Sequence, residues 1–415
     1  MPSCLVEPFQ SSQFQYLENL PDEPLQVMLL CRPGFESETG QEIQAVAQTC
    51  EVYGYVKTVE QSGQVAFVCY DTSSALRLFQ RLTVNDLVFA RDLMLALPEL
   101  SQLDPADRVA GIMALISAGP EVCQIVTWFN DTNEGKSLAK LCKKLVSPLK
   151  QALKNTCRNS TNEPQSDSSQ SDSFHTDISH INCSHTDAHQ SSVNPLNQSR
   201  AIWQADSPLC LNLLFTSGTS AVVGYSLKSR QPKWPCGVAY LKMPSDGPSR
   251  STLKLDEAIL LFFDKSEQQQ LFGLGKTAVD LGACPGGWTY QLVKRELQVM
   301  AIDNGAMADA LMKSGQVEHI KADGFHFRPP YRVNWLVCDM VEKPMRVAEL
   351  MASWLAEGDC ERAIFNLKLP MKKRYQALLE CQRIIDDILG SKPYQLSAKQ
   401  LYHDREEVTC YLAAI

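Results

Sequence analysis

The sequence lacks the features that mark several common classes of protein. Its 415 residues include no run of about 18 uncharged apolar residues, the length that a membrane-spanning helix needs. Residues 1–24 have neither a basic start nor a sustained apolar stretch, so they do not resemble a secretory leader. We therefore expect a cytoplasmic protein without a membrane partner.

Cysteine spacing argues against two further classes. The 15 cysteines are odd in number, are scattered from Cys4 to Cys410 and never form a CxxC pair. A disulfide framework or a structural zinc site requires closer and more regular spacing. We predict reduced, mostly buried thiols and no metal. Four histidines of one polar segment have spacings of five, five and four residues, which fit no rigid metal site, and a flexible segment would have to become ordered around the ion: His175, His180, His185 and His189.

An excess of positive charge is also missing, since the net charge is −8 and phosphate binding requires positive potential. The cations are nevertheless clustered in three segments. Each cluster alone is compatible with a solvated helix face, but the three together, beside the motif described below, favour RNA as the partner. The clusters are Lys136, Lys140, Lys143, Lys144, Lys150 and Lys154, with a helix break predicted at Ser147–Pro148; Lys228, Arg230 and Lys233; and Lys368, Lys372, Lys373 and Arg374.

Hydrophobic periodicity and chain length predict two to three domains. After an N-terminal extension, residues 1–24, the order strand–helix–strand–strand–helix over residues 25–84 is typical of a ferredoxin-like unit. A second α+β module spans residues 85–245 and begins with the strand "DLVFARDLML". Within it, residues 155–200 are rich in Ser, Asn, Gln, Asp and His and almost free of large apolar side chains, which predicts a disordered insert.

Residues 246–415 alternate between apolar strands and amphipathic helices. This pattern indicates a parallel sheet that is covered on both faces. Two extended runs close the chain, "PYQLSAKQLY" and "EEVTCYLAAI", and we expect this hairpin to add an antiparallel edge strand.

One stretch of this domain, "DLGACPGGWTYQLV", predicts a nucleoside site. A strand passes through Gly286 and Gly287 into a helix, and missing β-carbons let backbone amides approach a ligand. Asp303 ends the next strand, where a carboxylate can bind ribose hydroxyls. The turn does not read GxGxxG, which disfavours a dinucleotide site and therefore a nicotinamide-dependent dehydrogenase.

The segment "DLGACPGGW" resembles motif I of the FtsJ-like family of S-adenosyl-L-methionine-dependent ribose 2′-O-methyltransferases, and the closing hairpin is similar to the seventh strand of their Rossmann-like sheet. The segments "PSRSTLKL", "VCDMVEKP" and "FNLKLPMKKRY" extend the resemblance to a subfamily that methylates a cytidine of large-subunit (23S) ribosomal RNA. In that subfamily a ferredoxin-like domain and a THUMP RNA-binding domain precede the catalytic domain. The resemblance therefore implies an FtsJ-like methyltransferase domain over residues 246–415 and a THUMP-like domain over residues 85–245.

The same resemblance implies a catalytic tetrad of Lys254, Asp339, Lys368 and Glu407. Lys368 would accept the proton, Asp339 would orient it, and Lys254 and Glu407 would support the substrate hydroxyl. Neighbours on a strand face opposite sides, so only one of Glu406 and Glu407 can reach the pocket, and the family motif, Glu before Val, favours Glu407. A lysine base needs a pKa below its ordinary value of about 10.4. Lys254 and the sulfonium would lower the pKa of Lys368 and the two carboxylates would raise it, which leaves the balance open.

For the cofactor, the resemblance implies contacts from the glycine turn and from acidic residues that follow the strands. Alternatives remain: ribose methylation of another RNA such as tRNA, or a non-catalytic RNA-binding protein with a vestigial methyltransferase fold. We expect a monomer. The implied cofactor-binding residues are Ser251, Cys284, Pro285, Gly286, Gly287, Asp303, Asp323 and Asp339.

Overall fold

The computed structural model describes residues 25–116, 119–159 and 203–415. The predicted N-terminal extension and residues 160–200 of the predicted insert lie outside the described residues. The strands are β1 Gln26–Cys31, β2 Gly54–Thr58, β3 Gln64–Cys69, β4 Ala90–Ala96, β5 Gln124–Trp128, β6 Leu209–Phe215, β7 Ala221–Leu227, β8 Thr277–Leu281, β9 Gln298–Ile302, β10 Val317–Ile320, β11 Val333–Cys338, β12 Cys360–Lys368, β13 Tyr394–Lys399 and β14 Glu407–Ala414. The helices are α1 Glu36–Thr49, α2 Thr72–Arg81, α3 Arg108–Ile116, α4 Asn133–Asn159, α5 Thr252–Phe262, α6 Lys265–Leu271, α7 Gly287–Val293, α8 Asp309–Met312, α9 Pro344–Glu357 and α10 Arg374–Leu389.

The first two predicted modules share one sheet with the strand order β2-β3-β1-β4-β7-β6-β5. Strand β4, which the sequence pattern placed at the start of the second module, pairs antiparallel with β1 and completes a ferredoxin-like βαββαβ order. It also pairs with β7. Every residue of β4 is buried, so the strand needs a partner on each side. The local pattern does not specify which strands those partners are.

The lysine-rich helix α4 differs from its prediction. It continues through Pro148 to Asn159, so the predicted break at Ser147–Pro148 is wrong, and residues 155–159 of the predicted disordered insert are helical. Proline in a helix interior removes one hydrogen bond and destabilises the helix. Leu149 and Leu153 are fully buried on the far side of the proline. We infer that this packing outweighs the local cost, because helices in proteins are stabilised mainly by their apolar faces.

The second sheet has the order β10-β9-β8-β11-β12-β14-β13. Its strands are parallel except for β14, which runs antiparallel to β12 and β13. The predicted α/β class with a closing antiparallel hairpin is confirmed, but the antiparallel strand is not at the edge. Strand β14 is buried from Glu407 to Ala413 and lies between β12 and β13, and β13 forms the edge. The parallel strands end at one side of the sheet, where the candidate site lies.

The C-terminal domain, residues 246–415, packs against the first two modules. Phe35 precedes α1 and Phe89 precedes β4, and both lie in the hydrophobic core beside α9 and α10. The Lys399 ammonium is buried and donates to the carbonyls of Val84 and Leu87 at 2.6 and 2.7 Å. These contacts hold the end of β13, and therefore the loop before β14, against the first sheet.

Within the three described stretches of the chain, no helix is long and apolar enough to cross a membrane. The same residues contain no group of three or more His, Cys, Asp or Glu placed to hold a metal ion. The cysteines with described side chains are free thiols, and all are buried except the half-buried Cys284.

Candidate active site

The glycine turn lies at the carboxyl end of β8. Gly282 and Gly286 have φ angles of +75° and +111°, a backbone region in which a side chain is strained. A β-carbon on Gly287 would collide with Ser251 Oγ, which itself lies 2.7 Å from Ser249 Oγ. The glycines are therefore required by both the turn and the close approach of the segment before α5.

Asp303 follows β9 directly and faces this turn. Its carboxylate accepts the backbone N–H of Cys284 at 3.0 Å and that of Gly305 at 2.7 Å, one on each oxygen. Pro285, between Cys284 and Gly286, completes the turn with a cis peptide bond. The carboxylate is thus held rigidly, while each oxygen keeps a second acceptor position.

Asp323 lies in an exposed loop and not at the end of a strand. Strand β10 ends at Ile320, so Asp323 lies in the following loop and its side chain is exposed. It accepts hydrogen bonds from the Phe325 N–H at 2.9 Å and from His326 Nδ1 at 2.8 Å, and these bonds lower the pKa of Asp323. The adjacent Gly324 lies against Met340 and Leu281, which keeps the loop at the carboxyl edge of the sheet.

The structure brings together the four residues of the tetrad predicted by resemblance. Lys368 Nζ donates to Asp339 Oδ1 and to Glu407 Oε2. Lys254 Nζ contacts Glu407 Oε1 and lies 3.4 Å from Asp339 Oδ2. The four side chains come from α5, from the ends of β11 and β12, and from the start of β14. They form a closed ring in which positive and negative charges alternate, defined here as the charge ring.

The charge ring decides the pKa balance that the sequence left open. Burial lowers the pKa of Lys368, but the charges of Asp339 and Glu407 and their hydrogen bonds raise it more, so the net shift is upward. Asp280, near the end of β8, also has a shifted pKa. Burial raises the pKa of Asp280 to about 7, and its carboxylate accepts the Thr289 hydroxyl at 2.6 Å.

Two residues beside the ring were missed at the level of sequence. Asn366 Nδ2 donates to Asp339 Oδ1 at 2.9 Å, and the Thr409 hydroxyl donates to Asn366 Oδ1 at 2.6 Å. Asn366 pairs with Thr409 across the sheet, as Lys368 pairs with Glu407. Each lies two positions from a ring residue, on the same face of its strand. Alternate residues of a strand face the same side, and this two-residue repeat was the sequence signal that could have identified Asn366 and Thr409.

A cavity of about 660 Å³ opens onto the charge ring. Lys254, Asp339, Lys368 and Glu407 line one side of it. The other lining residues come from all three modules. They include three arginines, Arg32, Arg250 and Arg405, together with Asp131, Tyr402 and Asp404. The cavity can therefore accommodate a ligand larger than a nucleoside, and three arginines line it besides the charge ring.

Comparison with known proteins identifies the family. The RlmM ferredoxin-like domain model matches residues 25–94, the N-terminal model of ribosomal RNA large subunit methyltransferase M matches residues 107–175, and the FtsJ-like methyltransferase model matches residues 248–367. Ribosomal RNA large subunit methyltransferase M of Pseudoalteromonas atlantica is 41% identical over 388 residues, which cover 92% of this chain and 98% of that protein. The protein of the same name from Musicola paradisiaca is 42% identical over 393 residues, or 94% and 96% of the two chains.

The chain belongs to the ribosomal RNA large subunit methyltransferase M (RlmM) family. The predicted resemblance to FtsJ-like methyltransferases is thus confirmed, and the fold is that of a methyltransferase. The RlmM ferredoxin-like model extends through most of β4, in agreement with the pairing of β4 and β1. The RlmM N-terminal model includes the whole of α4.

Proposed function

We propose that this protein transfers a methyl group from S-adenosylmethionine to the ribose 2′-hydroxyl of a cytidine in 23S ribosomal RNA, with Lys368 as proton acceptor. The single observation that carries this proposal is the charge ring at the carboxyl edge of a methyltransferase sheet, beside the glycine turn. The name shared by its relatives, ribosomal RNA large subunit methyltransferase M, supports the choice of RNA.

The residues around the glycine turn fit the cofactor. Asp303 keeps one free acceptor position on each oxygen, which suits two ribose hydroxyls. Gly286 and Gly287 let the N-terminus of α7 pack closely against Leu311 and Ser251. Ser251, Asp323 and Asp339 border the same edge. When bound, S-adenosylmethionine supplies a reactive methyl group on a positively charged sulfonium.

The charge ring explains how this chain would handle the proton. Two carboxylates hold Lys368 Nζ in one position, which contributes to rate through orientation. To act as a base, the amine must become neutral, and nearby positive charge favours that form. Lys254 supplies such charge because it shares both carboxylates with Lys368. The net pKa shift of Lys368 is upward, so the ammonium would need further positive charge nearby, such as that of a bound sulfonium, before it releases its proton to solvent. The neutral Lys368 amine would then take the proton of the ribose hydroxyl in the cavity.

Helix α4 supplies the surface that fits the RNA backbone. Five lysines fall within an arc of about 80° along about 27 Å of helix, given 100° and 1.5 Å per residue. We call them the lysine stripe: Lys136, Lys140, Lys143, Lys150 and Lys154. Lys136 Nζ lies 3.1 Å from Asp131, which lines the cavity, so the stripe begins beside a residue of the cavity wall.

The other two predicted cation clusters are used partly for packing. Arg230 donates to the carbonyls of Phe79 and Leu82, both at 3.2 Å. Arg374 pairs with Glu406 at 2.6 Å and lies over the Phe35 ring at 4.4 Å. These cations join elements of the protein, which leaves α4 as the best RNA surface of the three.

Incubation of the protein with labelled methyl donor and unmodified 23S ribosomal RNA tests the proposal. We expect label on one cytidine ribose, located by nuclease digestion and mass mapping. Label on tRNA instead would reassign the substrate. Calorimetry with S-adenosylmethionine alone separates an enzyme from a vestigial fold, because a vestigial fold would bind RNA without binding the cofactor.

A further inference from the structure

A buried row of polar side chains lies behind the charge ring. Asn366 and Thr409 have 0% of their surface exposed and Asp404, in the loop before β14, has 1%. Thr409 Oγ1 lies 2.6 Å from Asn366 Oδ1 and 3.0 Å from Asp404 Oδ2. Asn366 Nδ2 lies 2.9 Å from Asp339 Oδ1. The row therefore connects Asp404 to the ring through two hydrogen-bonding side chains.

Counting hydrogens fixes the direction of each bond in this row. Asp339, which is paired with two lysines, is an acceptor, so Asn366 must turn its NH₂ group toward it. The amide oxygen of Asn366 then faces Thr409 and accepts a hydrogen bond. A hydroxyl has one hydrogen, so Thr409 has no further hydrogen to donate to Asp404.

Thr409 can therefore only accept from Asp404. Two acceptors at 3.0 Å in a site without exposed surface repel each other unless one carries a proton. Asp404 Oδ2 accepts the Leu401 N–H at 2.9 Å, so the O–H that Thr409 accepts lies on Oδ1, 3.2 Å from Thr409 Oγ1. Burial and the charge of Glu407 raise the pKa of Asp404 well above its usual range. The Leu401 N–H bond and Lys254 oppose this shift, and Glu257 adds to it.

We propose that Asp404 is a neutral carboxylic acid that positions Asp339, and through it Lys368, by way of Thr409 and Asn366. This inference rests on the proposed function only for the effect on methyl transfer. If Asp404 were ionised, Thr409 would donate to it, and the Asn366 oxygen would be buried without a donor. Asn366 would then be held by its NH₂ group on Asp339 alone.

Matched variants separate this role from simple packing. Asp404→Asn supplies an N–H donor to Thr409 and a carbonyl acceptor for Leu401, so it imitates the neutral acid; Asp404→Ala removes both. Thr409→Ser keeps the hydroxyl and Thr409→Val removes it without changing the shape. We expect Asp404→Asn and Thr409→Ser to stay within about threefold of the wild-type single-turnover rate. The rates of Asp404→Ala and Thr409→Val should fall by about tenfold or more, at unchanged cofactor affinity.

Isotope-edited infrared spectroscopy tests the protonation state without any turnover. In protein labelled with ¹³C-aspartate at pH 7, the wild-type minus Asp404→Asn difference spectrum should contain the carbonyl band of a protonated acid. A carboxylate band in its place would overturn the proposal, and so would an Asp404→Asn protein as slow as Asp404→Ala. A wild-type protein that fails to methylate 23S ribosomal RNA would refute the proposed function, whereas the infrared result would still decide the state of Asp404.

Discussion

Replacing Lys368 with arginine tests whether this amine accepts the proton. Lys368→Arg keeps a positive charge beside Asp339 and Glu407, but a guanidinium stays protonated in proteins. A positioned general base contributes on the order of 10²–10⁴-fold to a rate. We therefore expect the variant to lose methyl transfer by at least about 100-fold, while its affinities for cofactor and RNA stay close to those of the wild type.

Lys368→Ala should show the same loss of transfer together with a change in stability. The Glu407 side chain is 7% exposed and loses one of its two lysine partners in this variant. A buried charged acceptor without its partner destabilises a fold by about 1–3 kcal/mol. Lys254 still contacts both carboxylates. We therefore expect the free energy of unfolding to fall by an amount near the lower end of that range.

The assay is single-turnover transfer of labelled methyl to unmodified 23S ribosomal RNA at saturating cofactor, with cofactor affinity measured by calorimetry. Unfolding in urea gives the stability of each variant. Transfer by Lys368→Arg within about tenfold of wild type would refute Lys368 as proton acceptor. Loss of cofactor binding in both variants would show that the ring serves binding and not proton transfer.

Three further predictions concern the RNA surface, the glycine turn and a buried acid. Lys143→Glu, in the lysine stripe, should weaken RNA binding and reduce the salt dependence of the affinity by about one phosphate contact. Lys265→Glu, on exposed α6, should change neither quantity. Equal effects of the two variants in a filter-binding titration would contradict the assignment of the stripe as the RNA surface. Gly287→Ala should weaken cofactor binding by about tenfold or more because the added β-carbon meets Ser251. Gly218→Ala adds a β-carbon in open space and should leave the affinity for the cofactor unchanged. Calorimetry measures the affinity of both variants. Because the pKa of Asp280 is raised from 3.8 to about 7, its stabilising effect is complete below about pH 4 and is lost as pH rises through 7. The thermal midpoint of Asp280→Asn relative to wild type should therefore increase between pH 4 and pH 7, and a constant difference would show that the acid is not perturbed.

The parts of the fold that depend on neighbouring residues could be predicted from the sequence. The strand, glycine turn and helix around Gly286 follow from local backbone preference, and the position of Asp303 follows from where its strand ends. Strand and helix alternation specified a parallel sheet, whose carboxyl ends meet at one edge. Resemblance to a known family was needed to select Lys254, Asp339, Lys368 and Glu407, since isolated charged residues of these types occur on most protein surfaces.

The sequence by itself determined the alternation of elements, the glycine turn and the acids at the strand ends, because these follow from steric preference and periodicity within a few residues. Tertiary structure decided that β14 lies between β12 and β13, that α4 continues through Pro148, and that the pKa of Lys368 rises. It also placed Asp404 behind Thr409. Each of these results depends on burial and on charges that lie far apart in the chain, and neither quantity exists until the sheet has assembled.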